Sequence, residues 1–145
     1  MKMEYFARYR DSDGTPQKLM DHLEGTSALT SQFASKIGMP CFGELMGLLH
    51  DLGKYSKEFQ TYLKSSGGKI EPDDDEYIDA KRMKGKIDHS TAGAQYLRNH
   101  CKSNSKFLQI AIEIMALCLV SHHSGLIDCL EPVQKNRFRS GFQSC

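Results

Sequence analysis

His50 and Asp51, in the stretch Leu48-Leu49-His50-Asp51-Leu52-Gly53-Lys54, set a nitrogen ligand beside a carboxylate at the polar end of an otherwise apolar helical run. The pair alone says little, since six histidines and ten aspartates in 145 residues supply about 0.4 such dipeptides by chance. Its company carries the constraint. His22 lies upstream, Asp88-His89-Ser90 downstream, and His122-His123 forms a second dyad further on. Five of the six histidines therefore fall in four short polar clusters, each on a helix-like segment or at its end. Imidazole with carboxylate is a donor set for divalent transition metals. Ligands carried by separate helices converge only inside a bundle, where facing side chains build the site.

The rest of the pattern agrees with a bundle. Residues 1 to 14 read as an irregular lead, and Thr15-Pro16 as a helix start with Thr15 as N-cap and Pro16 in the first turn. Leu19, Leu23, Ala28, Leu29, Phe33 and Ile37 recur at helical spacing until Gly38. Pro40 opens a second helix with Leu45, Met46, Leu48, Leu49 and Leu52 on its buried face, stopped by Gly53 just after the dyad. Ser56 caps a third, through about Lys64, with Phe59 and Leu63 inward.

From Ser65 to Lys86 the core-facing periodicity disappears. Gly67-Gly68, the acidic run Asp73 to Glu76 and the basic stretch Lys81 to Lys86 make residues 65–88 an expected exposed insertion loop. Ser90 is expected to cap a helix through about Cys101, and the most apolar helix runs from about Lys106 to Ser121. Gly125 follows the second dyad. The tail from Asp128 reads as helical in part, with Val133, Phe138 and Phe142 as apolar candidates. No strand alternation and no repeat appears, so the expected class is all-α.

Composition narrows the function. A net charge of +1 gives no global pull toward a polyanion, so any nucleic-acid site must be local. Five cysteines, odd in number and without a Cys-x-x-Cys pair, argue for reduced thiols in a cytoplasmic protein rather than a disulfide framework or zinc ribbon. The run Ile110 to Val120 is far short of the roughly 20 apolar residues that cross a bilayer. The donor set is rich in histidine and poor in carboxylate, which favours manganese, iron, cobalt or nickel over calcium, with magnesium less suited. His122 and His123, about 100° apart on a regular helix, reach one cavity together only at a helix terminus. A single aspartate has two oxygens and can bridge two ions about 3.5–4 Å apart.

The clusters resemble those of the HD phosphohydrolase superfamily. More narrowly, Asp21-His22-Leu23-Glu24-Gly25, the stretch Gly47 to Phe59, Asp88-His89-Ser90-Thr91-Ala92-Gly93-Ala94 and Ser121-His122-His123-Ser124-Gly125-Leu126 are similar to the HD nuclease domain of the CRISPR-associated helicase–nuclease of type I systems. The resemblance implies an HD-domain helical bundle over residues 1–145. It implies that His22, His50 and Asp51 hold one metal ion, and that Asp51, His89, His122 and His123 hold a second, with Asp51 as the bridge. It also implies degradation of single-stranded DNA, with a helicase domain and an RNA-guided surveillance complex as partners. The family's bundle supplies a further aspartate near its end, whereas no carboxylate follows Glu131 here, and Asp128 is too near the His pair to take that role. On that comparison the chain is either the N-terminal fragment of a longer protein, truncated at its C-terminus, or a ligand short at its first site.

Around the ligands, Lys54 lies one turn beyond Asp51 and is a candidate catalytic partner for a phosphate oxygen, although a last-turn lysine needs no special role. Asp21 and Asp88, each directly before a ligand histidine, are candidates for fixing ring tautomers. His100 fits no motif and reads as surface. Two other functions share the donor set: a superfamily nucleotidase or phosphodiesterase acting on small nucleotides, and a metal-stapled docking module without catalysis.

Overall fold

The computed structural model describes residues 4–123. The expectations for Gly125 and for the tail from Asp128, with Val133, Phe138 and Phe142, lie outside those residues. Six helices and one two-stranded hairpin make up the described part, a helical domain: α1 (Leu19–Ser35), α2 (Pro40–Leu49), α3 (Lys57–Ser66), α4 (Ala80–Met83), α5 (Thr91–His100) and α6 (Lys106–Ser121). A 3-10 turn, Leu52–Tyr55, joins α2 to α3.

The hairpin is a departure from the sequence reading. β1 (Phe6–Tyr9) pairs antiparallel with β2 (Pro16–Lys18), with Arg8 opposite Gln17. Gly14 takes the left-handed backbone (φ 67°) that the return requires. Pro16 thus belongs to a strand and α1 begins three residues later; proline is tolerated there because an edge strand need not donate its N–H. The hairpin buries Ala7 against Leu19 and Leu23, with Tyr5, Leu48 and Tyr55 packed alongside.

α1 and α2, linked by only four residues, form a helical hairpin that brings the start of α1 beside the end of α2. Their contact is made by small residues, not by the apolar stripe the periodicity suggests. Leu19 and Leu23 are buried, but Leu29, Phe33 and Ile37 are 56%, 61% and 74% exposed. The helices meet through Ser27 and Thr30 on α1 and Gly43 and Gly47 on α2. Ser27 Oγ donates to the Glu44 carbonyl at 3.0 Å and Thr30 Oγ1 to that of Gly43 at 2.6 Å. A Cβ on Gly43 would lie 2.7 Å from that of Ala34, so side chains at these positions would force the helices apart.

The main core joins Leu49 of α2 to Ala94 and Leu97 of α5 and to Ile112, Met115, Ala116, Leu119 and Val120 of α6. Gly93 lets α5 approach so closely that a Cβ there would collide with the Leu49 carbonyl. The opposite side of α6 is also apolar, with Phe107, Ile110 and Ile114 exposed. A third cluster, Phe59, Leu63 and Ile87 with Met83 against it, fixes residues 83–87 to α3. Cys41, Cys101 and Cys118 are free thiols. Among the described residues no helix is long and apolar enough to cross a membrane.

Candidate metal centre

Each predicted ligand sits where a regular helix begins or ends. His22 is in the first turn of α1. α2 stops at Leu49, His50 is its C-cap, and Asp51 leaves the helical region (φ −113°, ψ 23°) before the 3-10 turn. His89 precedes α5, and His122 and His123 follow α6. Where α2 and α6 end, the consecutive side chains His50–Asp51 and His122–His123 are free to turn the same way, which a continuing regular helix forbids.

These ends converge on Asp51, whose side chain is 3% exposed, and its two oxygens divide the surrounding groups. Oδ2 lies 2.9 Å from His22 Nε2, 3.1 Å from His50 Nε2 and 2.9 Å from Lys54 Nζ. Oδ1 is surrounded by Nε2 of His122 at 3.5 Å, His123 at 3.7 Å and His89 at 3.8 Å. The structure therefore brings together all six of the ligand residues read from the sequence, and Lys54 with them. Two donor sets result, His22–His50–Asp51 and Asp51–His89–His122–His123, the donor atoms of each within 4.8 Å of one another.

Backbone carbonyls set the imidazoles. Nδ1 of His50 donates to Gly47 at 2.8 Å, that of His122 to Leu119 at 2.6 Å, and that of His89 to Ile87 at 3.2 Å. These acceptors were not read from the sequence. The signal was there for two of them, since a histidine just past a helix lies three residues beyond a carbonyl that has no helical partner. With Nδ1 carrying the proton, the Nε2 lone pair points to the centre. Asp88 does something else: its Oδ1 accepts from the N–H groups of Ser90 and Thr91 at 2.9 and 3.2 Å, so it caps α5 in place of Ser90. Asp21 is exposed, and His100 lies outside the centre, stacked on Tyr96 at 4.2 Å.

The residues fit a divalent cation. Asp51 Oδ1 is buried and has no hydrogen-bond partner. A buried carboxylate oxygen in that condition is costly unless a charge answers it. Around it, His89 Nε2 and His123 Nε2 face each other at 2.8 Å, and His22 Nε2 faces His50 Nε2 at 3.1 Å. Metal–nitrogen bonds of about 2.0–2.1 Å in a tetrahedron hold donors about 3.4 Å apart, close to the 3.5 Å to 3.8 Å spacing about Oδ1.

Without a metal ion, protons take part of that load. Burial disfavours the charged carboxylate of Asp51, but the close imidazoles of His122 and His50 and the ammonium of Lys54 outweigh it and hold the pKa far below the usual range. Burial pulls His122 down, yet the nearby Asp51 carboxylate and its bond to the Leu119 carbonyl leave it above the ordinary histidine value. Burial dominates at His22, His89 and His123 and lowers all three.

Two further contacts tie the halves of the centre together. Gly53 N donates to the His89 carbonyl at 3.2 Å, and a Cβ at Gly53 would lie 2.5 Å from that oxygen. Buried Gln60 accepts from Phe6 N at 3.1 Å and donates to the carbonyls of Phe6 and Lys54 at 2.9 and 2.7 Å, clamping the hairpin to the 3-10 turn.

Residues 15–142 match the family described as Cas3, HD domain. The chain belongs to that family. The match spans all four histidine clusters, and membership makes the chain a metal-dependent nuclease domain of the HD superfamily, with a nucleic-acid substrate and a CRISPR context. No curated protein matches the chain.

Proposed function

We propose that this chain is a single HD nuclease domain that degrades single-stranded DNA in CRISPR interference. In this reading it works in the cytoplasm beside a helicase domain and an RNA-guided surveillance complex. The supporting observation is the partition of Asp51: one buried carboxylate with three imidazoles about one oxygen and two about the other.

His22, His50 and Asp51 would hold one ion and Asp51, His89, His122 and His123 the other, with manganese, iron, cobalt or nickel suited to the nitrogen-rich donors and magnesium less so. When bound, such a pair of ions activates water for in-line attack on phosphorus and neutralises the departing oxygen. The chain's own residues do the rest. Asp51 belongs to both donor sets and keeps its charge to low pH because the groups packed around it, Lys54 among them, favour the carboxylate. The carbonyls of Gly47, Ile87 and Leu119 hold the rings of His50, His89 and His122 with Nε2 inward. Lys54 places an ammonium 2.9 Å from Asp51 Oδ2, within reach of a phosphate oxygen bound at the centre as charge develops on it.

The test is hydrolysis of a labelled single-stranded oligodeoxynucleotide by the full chain, stripped with chelator and reloaded with manganese, nickel or cobalt. Cleavage is expected, and His50→Ala or Asp51→Ala should abolish it. Turnover of small nucleotides without cleavage of the strand would instead identify a nucleotidase or phosphodiesterase. A fully loaded chain inert toward both would identify a docking module.

A further inference from the structure

The segment over residues 65–88 carries seven carboxylates and five cations, and its acidic and basic halves are used differently. Glu76 pairs with Lys57 of α3 at 3.1 Å. Asp74 Oδ1 accepts from Glu76 N at 2.8 Å, and Asp79 Oδ1 caps α4 by accepting from Lys81 N and Arg82 N at 3.1 and 3.2 Å. The cations that follow have no such occupation. Lys81, Arg82, Lys84 and Lys86 are all exposed, and among the described residues none makes an ion pair.

They are nevertheless held in place. Met83 and Ile87 pack into the cluster formed with Phe59 and Leu63, so the apolar side chains of the segment face α3 while the cations face solvent. Gly85, with φ 76°, turns the chain between them, and Lys86 N donates to the Met83 carbonyl at 2.9 Å. The segment then runs straight into the metal centre. Lys86 precedes His89 by three residues, a span of at most about 11 Å when fully extended. The Phe59 ring that anchors Met83 and Ile87 also lies 5.1 Å from the His89 ring.

We propose that Lys81, Arg82, Lys84 and Lys86 form a track for the sugar–phosphate backbone of a single strand, leading it to the His89 side of the centre. This rests on the nuclease reading for what happens at the end of the track, but not for the contact itself. Four unpaired cations on an anchored ridge meet phosphates without reading bases, so the contact is sequence-independent and salt-sensitive. With a chain net charge of +1, this local concentration of positive charge supplies what the global balance does not.

The test uses the full chain in chelator, so that no cleavage intervenes, and a fluorescent oligothymidylate followed by anisotropy across a salt series. Replacing all four (Lys81→Gln, Arg82→Gln, Lys84→Gln, Lys86→Gln) should weaken binding at least tenfold. It should also reduce the slope of log K against log salt by about 2 to 3, each phosphate contact on a single strand contributing about 0.7. Because all four side chains are exposed, the thermal transition should be unchanged. A charge-keeping variant (Lys81→Arg, Lys84→Arg, Lys86→Arg) should bind as the unsubstituted chain does. Equal affinity and slope in the glutamine variant overturn the proposal, as does an unsubstituted chain that fails to bind the oligonucleotide. Loss of the nuclease reading would show separately, as an absence of cleavage with metal restored while this binding persists.

Discussion

Nε2 of His89 and Nε2 of His123 lie 2.8 Å apart, with the His89 Nδ1 already committed to the Ile87 carbonyl. Two neutral rings cannot satisfy that contact with lone pairs facing each other; a proton or a cation must stand between them. Occupation by metal is therefore expected to stabilise the fold. An ion held only by the native state raises stability by about 2.7 kcal/mol at a hundred times its dissociation constant. Calorimetry of the chelated chain with and without manganese or nickel checks this, and an unshifted midpoint would count against a preformed centre.

Acidification should destabilise the metal-free chain. His22, His89 and His123 have lowered pKa values, so the unfolded state takes up protons that the fold refuses. Their contribution is present above the unfolded value of 6.5 and is lost as pH falls through the folded values. His122 is raised and works in the opposite sense, its contribution being complete below 6.5 and lost as pH rises. Three groups oppose one, so the melting temperature should fall between about pH 7.5 and 5.5. Protons also compete for the same nitrogens, so the increment from added metal should shrink over that interval. A melting temperature that rises on acidification would contradict this balance.

Much of this centre was legible in the sequence because donors are identified by residue type and helix ends by glycine, proline and apolar run length. His22, His50, Asp51, His89, His122 and His123 all meet as read. Packing was less legible. Periodicity registers hydrophobicity, so Leu29, Phe33 and Ile37 join the helical stripe with Leu19 and Leu23 although they are exposed, whereas the α1–α2 contact is made by Ser27, Thr30, Gly43 and Gly47. The hairpin was missed because four- and three-residue strands are too short for an alternation signal, and Thr15-Pro16 imitates a helix start. The position of Asp88 directly before His89 suggests an orienting acceptor, but its spacing also suits a cap, and the two free N–H groups at the start of α5 claim it.

Gly53→Ala should disrupt the centre more than the fold. The added Cβ would meet the His89 carbonyl at 2.5 Å and its Cα at 2.6 Å, both backbone atoms that cannot rotate aside. Overpacking of this kind costs about 1–3 kcal/mol. Since the displaced residue is a donor on the Oδ1 side of Asp51, metal affinity there should fall by more than the global destabilisation alone explains. Metal titration compared with chemical denaturation separates the two effects. Equal affinity in both proteins would mean that His89 is held from elsewhere.

The two donor sets should bind metal unequally, and Lys54 should be the cause. Its ammonium lies 2.9 Å from Asp51 Oδ2, on the same oxygen as His22 and His50, with its side chain only 13% exposed. Two like charges 5 Å apart repel by about 3 kcal/mol at an effective dielectric constant of 20, and a divalent ion feels more. The Oδ1 set has three imidazoles and no lysine. Calorimetric titration of the chelated chain should accordingly resolve a stronger and a weaker site, with His22→Ala removing the weaker. Lys54→Met should tighten the weaker site tenfold or more and leave the stronger little changed. If Lys54 also pairs with phosphate, the same variant will bind more metal and cleave more slowly, a split that mere loss of structure would not produce. Two equal sites in the unsubstituted chain, or a Lys54→Met titration that overlays it, would remove the electrostatic argument.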